Sequence, residues 1–194
     1  MPCMGRSREF DIHRALDRCL DLFWAKGFAG VSVSDLESAT GLGRQSLYSA
    51  FGNKEAIFAT VLERYNKATE TWLAPLFAED AGLEQLRRYA RDALAAQGTH
   101  KCSGCLVVKT LWDRGVGDAG LQKRAQSAIR RVRAAFQNAL ERAEARGEIR
   151  PADNQQRADL CFASINGLAA LRRAGVSEAR ALSTLDHLLD SWRI

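Results

Sequence analysis

Proline is scarce in this chain, with three in 194 residues. Proline breaks helix interiors, so long stretches can stay helical, and abundant Ala, Leu, Arg and Glu favour that state. Aromatic residues are also few, at 8%. No stretch alternates apolar and polar residues for long enough to make a strand. No segment approaches the roughly 18–20 apolar residues needed to span a bilayer, so no membrane partner is expected. Met1–Arg18 has no apolar run of the length a signal peptide needs, and the expectation is a cytoplasmic protein. No Ser/His/Asp set, paired-carboxylate motif or phosphate-binding glycine loop is visible. The histidines His13, His100 and His187 have no ligand-like spacing. The expectation is therefore a non-enzyme with no cofactor and no metal. Five cysteines (Cys3, Cys19, Cys102, Cys105, Cys161) in a cytoplasmic chain read as thiols, not as a disulfide framework.

At 46% hydrophobic residues the chain can bury a real core and is not disordered. An all-α fold follows. The net charge of +5 suits a polyanionic partner without requiring one. That charge is not concentrated near the N-terminus, where residues 1–54 hold seven Lys/Arg against six Asp/Glu. A nucleic-acid function must rest on where particular residues sit.

The chain is organised around Ser32–Lys54, SVSDLESATGLGRQSLYSAFGNK. Ser34 and Glu37 have the spacing of a capping box at the start of a helix. Gly41 can take the left-handed conformation of a sharp turn. Gly43 opens a second helix, along which Leu47, Tyr48 and Phe51 recur at three- and four-residue spacing. Asn53 can cap the helix that follows. Two short helices around a glycine-containing turn form a helix-turn-helix, whose second helix can enter a DNA major groove.

Around this corner the pattern predicts seven more helices. The first covers Phe10–Lys26 behind a polar arm, Met1–Glu9. The fourth runs from Asn53 to about Phe77, where Pro75 ends or kinks it. The fifth covers Leu83–Ala96, the short sixth Ser103–Asp113, and the seventh Asp118–Arg146. The eighth covers Asp153–Arg173, and Ser177 can cap a ninth. A domain boundary without a flexible linker is expected inside the fourth helix.

A recognition helix presents polar side chains at its N-terminal turn, where base edges come within reach. Arg44, Gln45 and Ser46 occupy that turn. Arg44 can be bidentate to guanine, and Gln45 can pair with adenine. Tyr48 and Lys54 lie where phosphates would pass. Ser32 and Ser34, with the amides opening their helix, could hold a phosphate. Arg6 and Arg8 could reach the backbone or a minor groove. The same spacing also suits an ordinary helical corner with solvated polar residues.

Phe10 to about Leu62 resembles the N-terminal domain of the TetR family of bacterial transcriptional regulators. The matching runs are ALDRCLDLFWAKGF (Ala15–Phe28), VSDLESATG (Val33–Gly41) and LGRQSLYSAFGNKEAI (Leu42–Ile57). The most specific part is Leu-Tyr-x-x-Phe-x-x-Lys-Glu, Leu47–Glu55. The resemblance implies a helix-turn-helix DNA-binding domain at 8–55, with the motif at about 32–51. A helical effector-binding and dimerisation domain would follow at 56–194, with about nine helices in all. It implies a repressor that binds a palindromic operator as a homodimer and is released by a small molecule. By position, Arg44, Gln45, Ser46 and Tyr48 match the family's DNA-contacting turn, and Lys54 its phosphate-contacting lysine. Ala50 departs from the pattern, since many members carry His or a larger residue there.

The eighth helix is apolar on more than one face. Either it buries those faces within one chain, or it joins the ninth in a four-helix interface with a two-fold mate. The resemblance implies the dimer. Candidate walls of an effector pocket between the fifth to eighth helices are Trp72, Tyr89, Cys105, Leu106, Trp112, Phe136, Phe162 and Asn166. They suit an apolar or aromatic ligand, and they equally suit core packing. Cys102 and Cys105 have Cys-x-x-Cys spacing beside His100 and Lys101, surroundings that favour thiolate. The Gly104-Cys105-Leu106 run also resembles a subset of the family in which a cysteine senses electrophiles or oxidants, so release by thiol modification is a second possibility. Zinc would need a fourth ligand beyond His100, Cys102 and Cys105. A thiol oxidoreductase would usually carry a βαβ pattern, which is missing. An all-helical protein-binding adaptor is a further alternative.

Overall fold

The computed structural model describes residues 4–99, 104–113 and 117–194, with side chains from Ile12 onward in the first span and up to Ala96. Among the described residues there are nine α-helices and no strand, so the all-α expectation holds. They are α1 (Met4–Lys26), α2 (Val33–Thr40), α3 (Arg44–Phe51), α4 (Lys54–Leu73), α5 (Leu83–Thr99), α6 (Leu106–Trp112), α7 (Ala119–Ala145), α8 (Asn154–Arg173) and α9 (Glu178–Asp190). A single 3-10 turn, Ala74–Leu76, carries Pro75 just past α4. No helix among the described residues is long and apolar enough to cross a membrane.

All the expected helix ends but one hold to within four residues. The helix expected at Phe10 begins at Met4, so the expected polar arm is helical from Met4 onward. Arg6–Glu9 is rich in good helix formers and has no proline to stop the pattern. The sixth helix begins at Leu106 and not at Ser103.

The chain forms two compact units that follow spatial proximity rather than chain order. The first contains Met1–Lys67 and Leu106–Gln126; the second contains Ala68–Cys105 and Ser127–Ile194. In the first, the stripe of α1 buries Ala15, Leu16, Cys19 and Phe23. Phe23 meets Phe58 edge-on with ring centroids 4.9 Å apart, and Phe28 lies 5.2 Å from Phe58. Leu36 of α2, Leu47 of α3 and Ile57, Val61 and Leu62 of α4 are fully buried. One apolar anchor per short helix sets which face of α2 and of α3 turns outward.

In the second unit α5, α7, α8 and α9 share one core around Phe136, Leu140, Leu86, Leu94, Ile165 and Leu185. Tyr89 packs edge-on against Phe136 at 5.2 Å. Asp153 caps α8, accepting from the amides of Gln155 (2.9 Å) and Gln156 (3.1 Å). Ser177 caps α9 by accepting from Arg180 N at 3.3 Å. Arg87 of α5 is nearly buried and reaches two carboxylates of α9, Asp186 at 2.5 Å and Asp190 at 2.6 Å.

Candidate nucleic-acid interface

The corner between α2 and α3 is built by side chains that satisfy backbone groups. Ser32 is the N-cap of α2; its Oγ accepts from Asp35 N at 3.1 Å. Asp35 Oδ2 in turn accepts from Ser32 N at 2.8 Å, completing a capping box. Ser34 and Glu37 do not form the expected box, because α2 starts at Val33 and Ser34 is already inside the helix. The signal lies two residues earlier, at Ser32 and Asp35, since Asp can close the box as Glu does. A hydrogen bond from Lys26 holds the Asp35 carboxyl well below the usual carboxylate range, helped by the Ser32 hydroxyl.

Glu37 has a different task. Gly43, the N-cap of α3, has no side chain to cap with, and Glu37 Oε1 accepts from Arg44 N at 2.6 Å. One helix thus caps the next. Between them Gly41 takes φ 73°, as the turn requires, and its amide donates to Glu37 O at 2.8 Å. From α1, Arg18 donates to the last carbonyls of α2, Ala39 O (3.2 Å) and Thr40 O (3.3 Å). Such a charge is favourable at a helix C-terminus. Asn53 caps α4 as expected, accepting from Ala56 N at 2.8 Å.

With Leu47 fully buried, α3 turns Arg44, Gln45 and Ser46 to solvent in one N-terminal turn. The Arg44 guanidinium lies 5.4 Å from the centre of the half-buried Tyr48 ring. Lys54 Nζ rests 4.3 Å from the Phe28 ring centre, a cation–π contact. Ser34 is exposed, and so is Ser32, whose hydroxyl is committed to the cap. Ser49 and Ala50 share the exposed face of α3. Ser49, three residues beyond Ser46, is findable from helical spacing. Arg6 and Arg8 lie on the backbone of α1, with side chains outside those described.

Residues 15–61 match the model of the bacterial regulatory proteins of the tetR family, and residues 82–188 match that of the tetracyclin repressor-like C-terminal domain. The chain belongs to the TetR family. It is a helix-turn-helix regulatory protein rather than an enzyme. It is 30% identical over 192 residues to the HTH-type transcriptional repressor ComR of Escherichia coli K12, covering 97% of this chain and 91% of ComR. A TetR-family regulator from Agrobacterium tumefaciens has the same fold at 18% identity, with a TM-score of 0.87 and coverage of 96% and 99% of the two chains. A cysteine mutant of the TetR-family regulator CifR, complexed with double-strand operator DNA, shares the fold at 24% identity. Its TM-score is 0.79, with coverage of 92% and 95%.

In this TetR-family chain the eight expected effector-wall residues are divided between the two units. Leu106 is buried in the first unit, and Trp112, also there, is 80% exposed. The second unit holds the rest. Phe136 is fully buried, Tyr89 and Phe162 are partly buried against its core, and Asn166 Nδ2 donates to Phe162 O at 2.8 Å. Trp72 is half exposed. Burial pushes the Tyr89 hydroxyl up from its ordinary value, with Cys105 adding to the shift. The second unit also carries an open cleft of about 640 Å³ lined by Glu79, Asp80, Leu83, Glu84, Gln85, Arg146, Glu148 and Arg193. Most of its lining residues are charged, and it shares no residue with the expected walls.

The thiols differ in their surroundings. Cys19 and Cys161 are buried, and burial pushes them up to about 11 and about 12. Cys105 is partly buried just ahead of α6. Cys102 lies outside the described residues, and so does His100. Among the described residues no group of three or more His, Cys, Asp and Glu side chains could hold a metal ion.

Proposed function

We propose that the protein is a cytoplasmic, ligand-responsive repressor that binds a palindromic operator as a homodimer. The observation that carries this reading is the N-terminal turn of α3. Arg44, Gln45 and Ser46 are exposed together there, while Glu37 and Leu47 fix the helix from behind. In this reading Arg44 and Gln45 read base edges, and Ser46 and Tyr48 add contacts beside them. Lys54 meets a phosphate, as do Ser34 and the amides after Ser32. Residues 8–55 would form the DNA-binding domain and 56–194 the effector-binding and dimerisation domain.

The dimer would form through α8 and α9. One face of α8 is buried through Ala158, Cys161, Ile165 and Leu168, while Leu160 (46%) and Leu171 (50%) are exposed on another. An apolar second face on a helix already packed in its own core supports a two-fold partner. Two copies supply the two heads a palindrome needs. The effector would be an apolar or aromatic small molecule seated near Tyr89, Phe136, Phe162 and Asn166. Modification of Cys105, with Cys102, is the second route to release. Its support is that Cys105 is less buried than Cys19 or Cys161.

Selection of bound sequences from random duplex DNA tests the reading, and a two-fold symmetric site is expected. Binding should weaken steeply with salt, with a slope near the number of phosphates neutralised. Arg44→Ala should relax base preference at one position at a cost of about 1–3 kcal/mol, whereas Lys54→Ala should weaken all sequences alike. Recovery of no preferred sequence would sink the proposal.

A further inference from the structure

The turn that carries α1 into α2 is gripped from outside by α6. Lys109 Nζ donates to Trp24 O at 2.6 Å and Ala25 O at 3.1 Å. These are last-turn carbonyls, which a helix leaves to be satisfied from elsewhere and which favour a cation. One turn further along α6's direction, Asp113 Oδ2 accepts from Ala29 N at 2.8 Å. Lysine and aspartate four residues apart on one face thus hold the two sides of the turn, the cation on carbonyls and the carboxylate on an amide.

The turn is shaped to receive them. Gly27 has φ +75°, and a Cβ there would lie 3.0 Å from Asp113 Oδ2. At Gly30 a Cβ would lie 2.5 Å from Lys26 O, against backbone that cannot yield. Phe28 and Val31 anchor the same turn in the core. Ser32, the N-cap of α2, is the next residue. The turn therefore sets the direction in which α2, and with it the exposed face of α3, leaves α1.

We propose that Lys109 and Asp113 are positioning residues for sequence reading: they fix the pitch of the helix-turn-helix without touching DNA. The inference rests on the DNA-binding reading above. Sequence reading needs side chains placed to within hydrogen-bond tolerance, whereas phosphate attraction tolerates small rotations. Loss of the grip should therefore cost specific binding and spare non-specific binding.

The test uses full-length protein, the operator recovered by selection and an unrelated duplex of equal length. Asp113→Ala and Lys109→Met should each lose about tenfold on the operator, the equivalent of one base contact, and stay within about twofold on the unrelated duplex. Asp113→Asn keeps an acceptor for Ala29 N and should recover most of the loss. In DNA-free protein, the Ala29 amide should exchange faster in Asp113→Ala than in wild type. Equal loss on both duplexes with a fall in melting temperature and no rescue by Asp113→Asn would mean a merely structural role and overturn the inference. Variants that match wild type on the operator, or unchanged Ala29 exchange, would overturn it too. Wild-type protein that selects no duplex would sink the DNA reading itself and this inference with it.

Discussion

At the α2–α3 corner, side chains are spent on backbone. Ser32 and Asp35 close one helix start, Glu37 closes the next, and Arg18 covers the end of α2. Between α5 and α9, side chains are spent on each other. Arg87 bridges Asp186 and Asp190, and Arg91 takes the second oxygen of Asp186 at 2.5 Å. A cap fixes where a helix begins and which way its faces point. An ion pair between helices holds them together and leaves their faces to the core. The first unit is built to aim a polar surface, and the second to hold four helices around an apolar one.

The largest effects should come where both units depend on the same thing. Phe58→Ala and Phe136→Ala each delete a fully buried ring, and each should cost roughly 3–5 kcal/mol in denaturant unfolding. Below the melting transition the two should part. Phe58 supports Phe23 and Phe28, so its loss should also weaken operator binding. Matched losses of operator binding in the two variants would show that the first unit does not aim the polar surface by itself.

Arg87→Ala comes next. It leaves Asp186, only 23% exposed, with Arg91 alone, and should cost about 1–3 kcal/mol. The loss is smaller than for a fully buried pair because Asp190 is 53% exposed. Arg91→Ala, at an exposed site, should cost no more than about 1 kcal/mol. A double-mutant cycle with Asp186→Ala would show whether the pairing is real.

Alkaline pH tests the buried thiols, one in each unit. Burial raises Cys161 to about 12 in the folded protein, from an ordinary value of 9.0. A raised folded value means stability that is whole below pH 9.0 and is lost as pH climbs toward 12. At pH 11 the loss should be on the order of 1–3 kcal/mol, and Cys161→Ala should remove that part of the slope. In native buffer, a thiol reagent should leave Cys19 and Cys161 untouched until the chain unfolds. Labelling of either in the folded state would contradict the burial argument.

Much of this was legible in the sequence because it depended on local spacing. The helices, the left-handed Gly41 and the Asn53 cap follow from neighbours within a few residues. So does the exposed turn at Arg44–Ser46, since Leu47 and Phe51 mark the inner face. The rest depended on contacts far apart in sequence. Nothing near Ala29 announces Asp113, which is 84 residues away. Nothing near Leu106 says that α6 joins the first unit while Cys105 belongs to the second. The effector walls are expected from helices that neighbour each other in the chain, and chain order is blind to that division.

The smallest prediction is the sharpest on how the corner is aimed. Two serines two positions apart compete for the cap of α2. Ser32 makes it, and Ser34 sits exposed within the first turn. Ser32→Ala should cost about 1 kcal/mol, since the Asp35 amide loses its acceptor. Ser34→Ala should fall within about 0.5 kcal/mol of wild type. Asp35 adds a pH signature. Its carboxyl is held low by Lys26 and Ser32, so its contribution is present at neutral pH and lost as pH falls through the ordinary carboxylate range and below. Asp35→Asn should flatten the acid limb of the stability profile. If Ser34→Ala proved the costlier serine change, Ser34 and not Ser32 would cap α2, which would begin two residues later. Leu36 would still hold the inner face of that helix, but the turn from α1 would lose the cap that fixes its entry into α2.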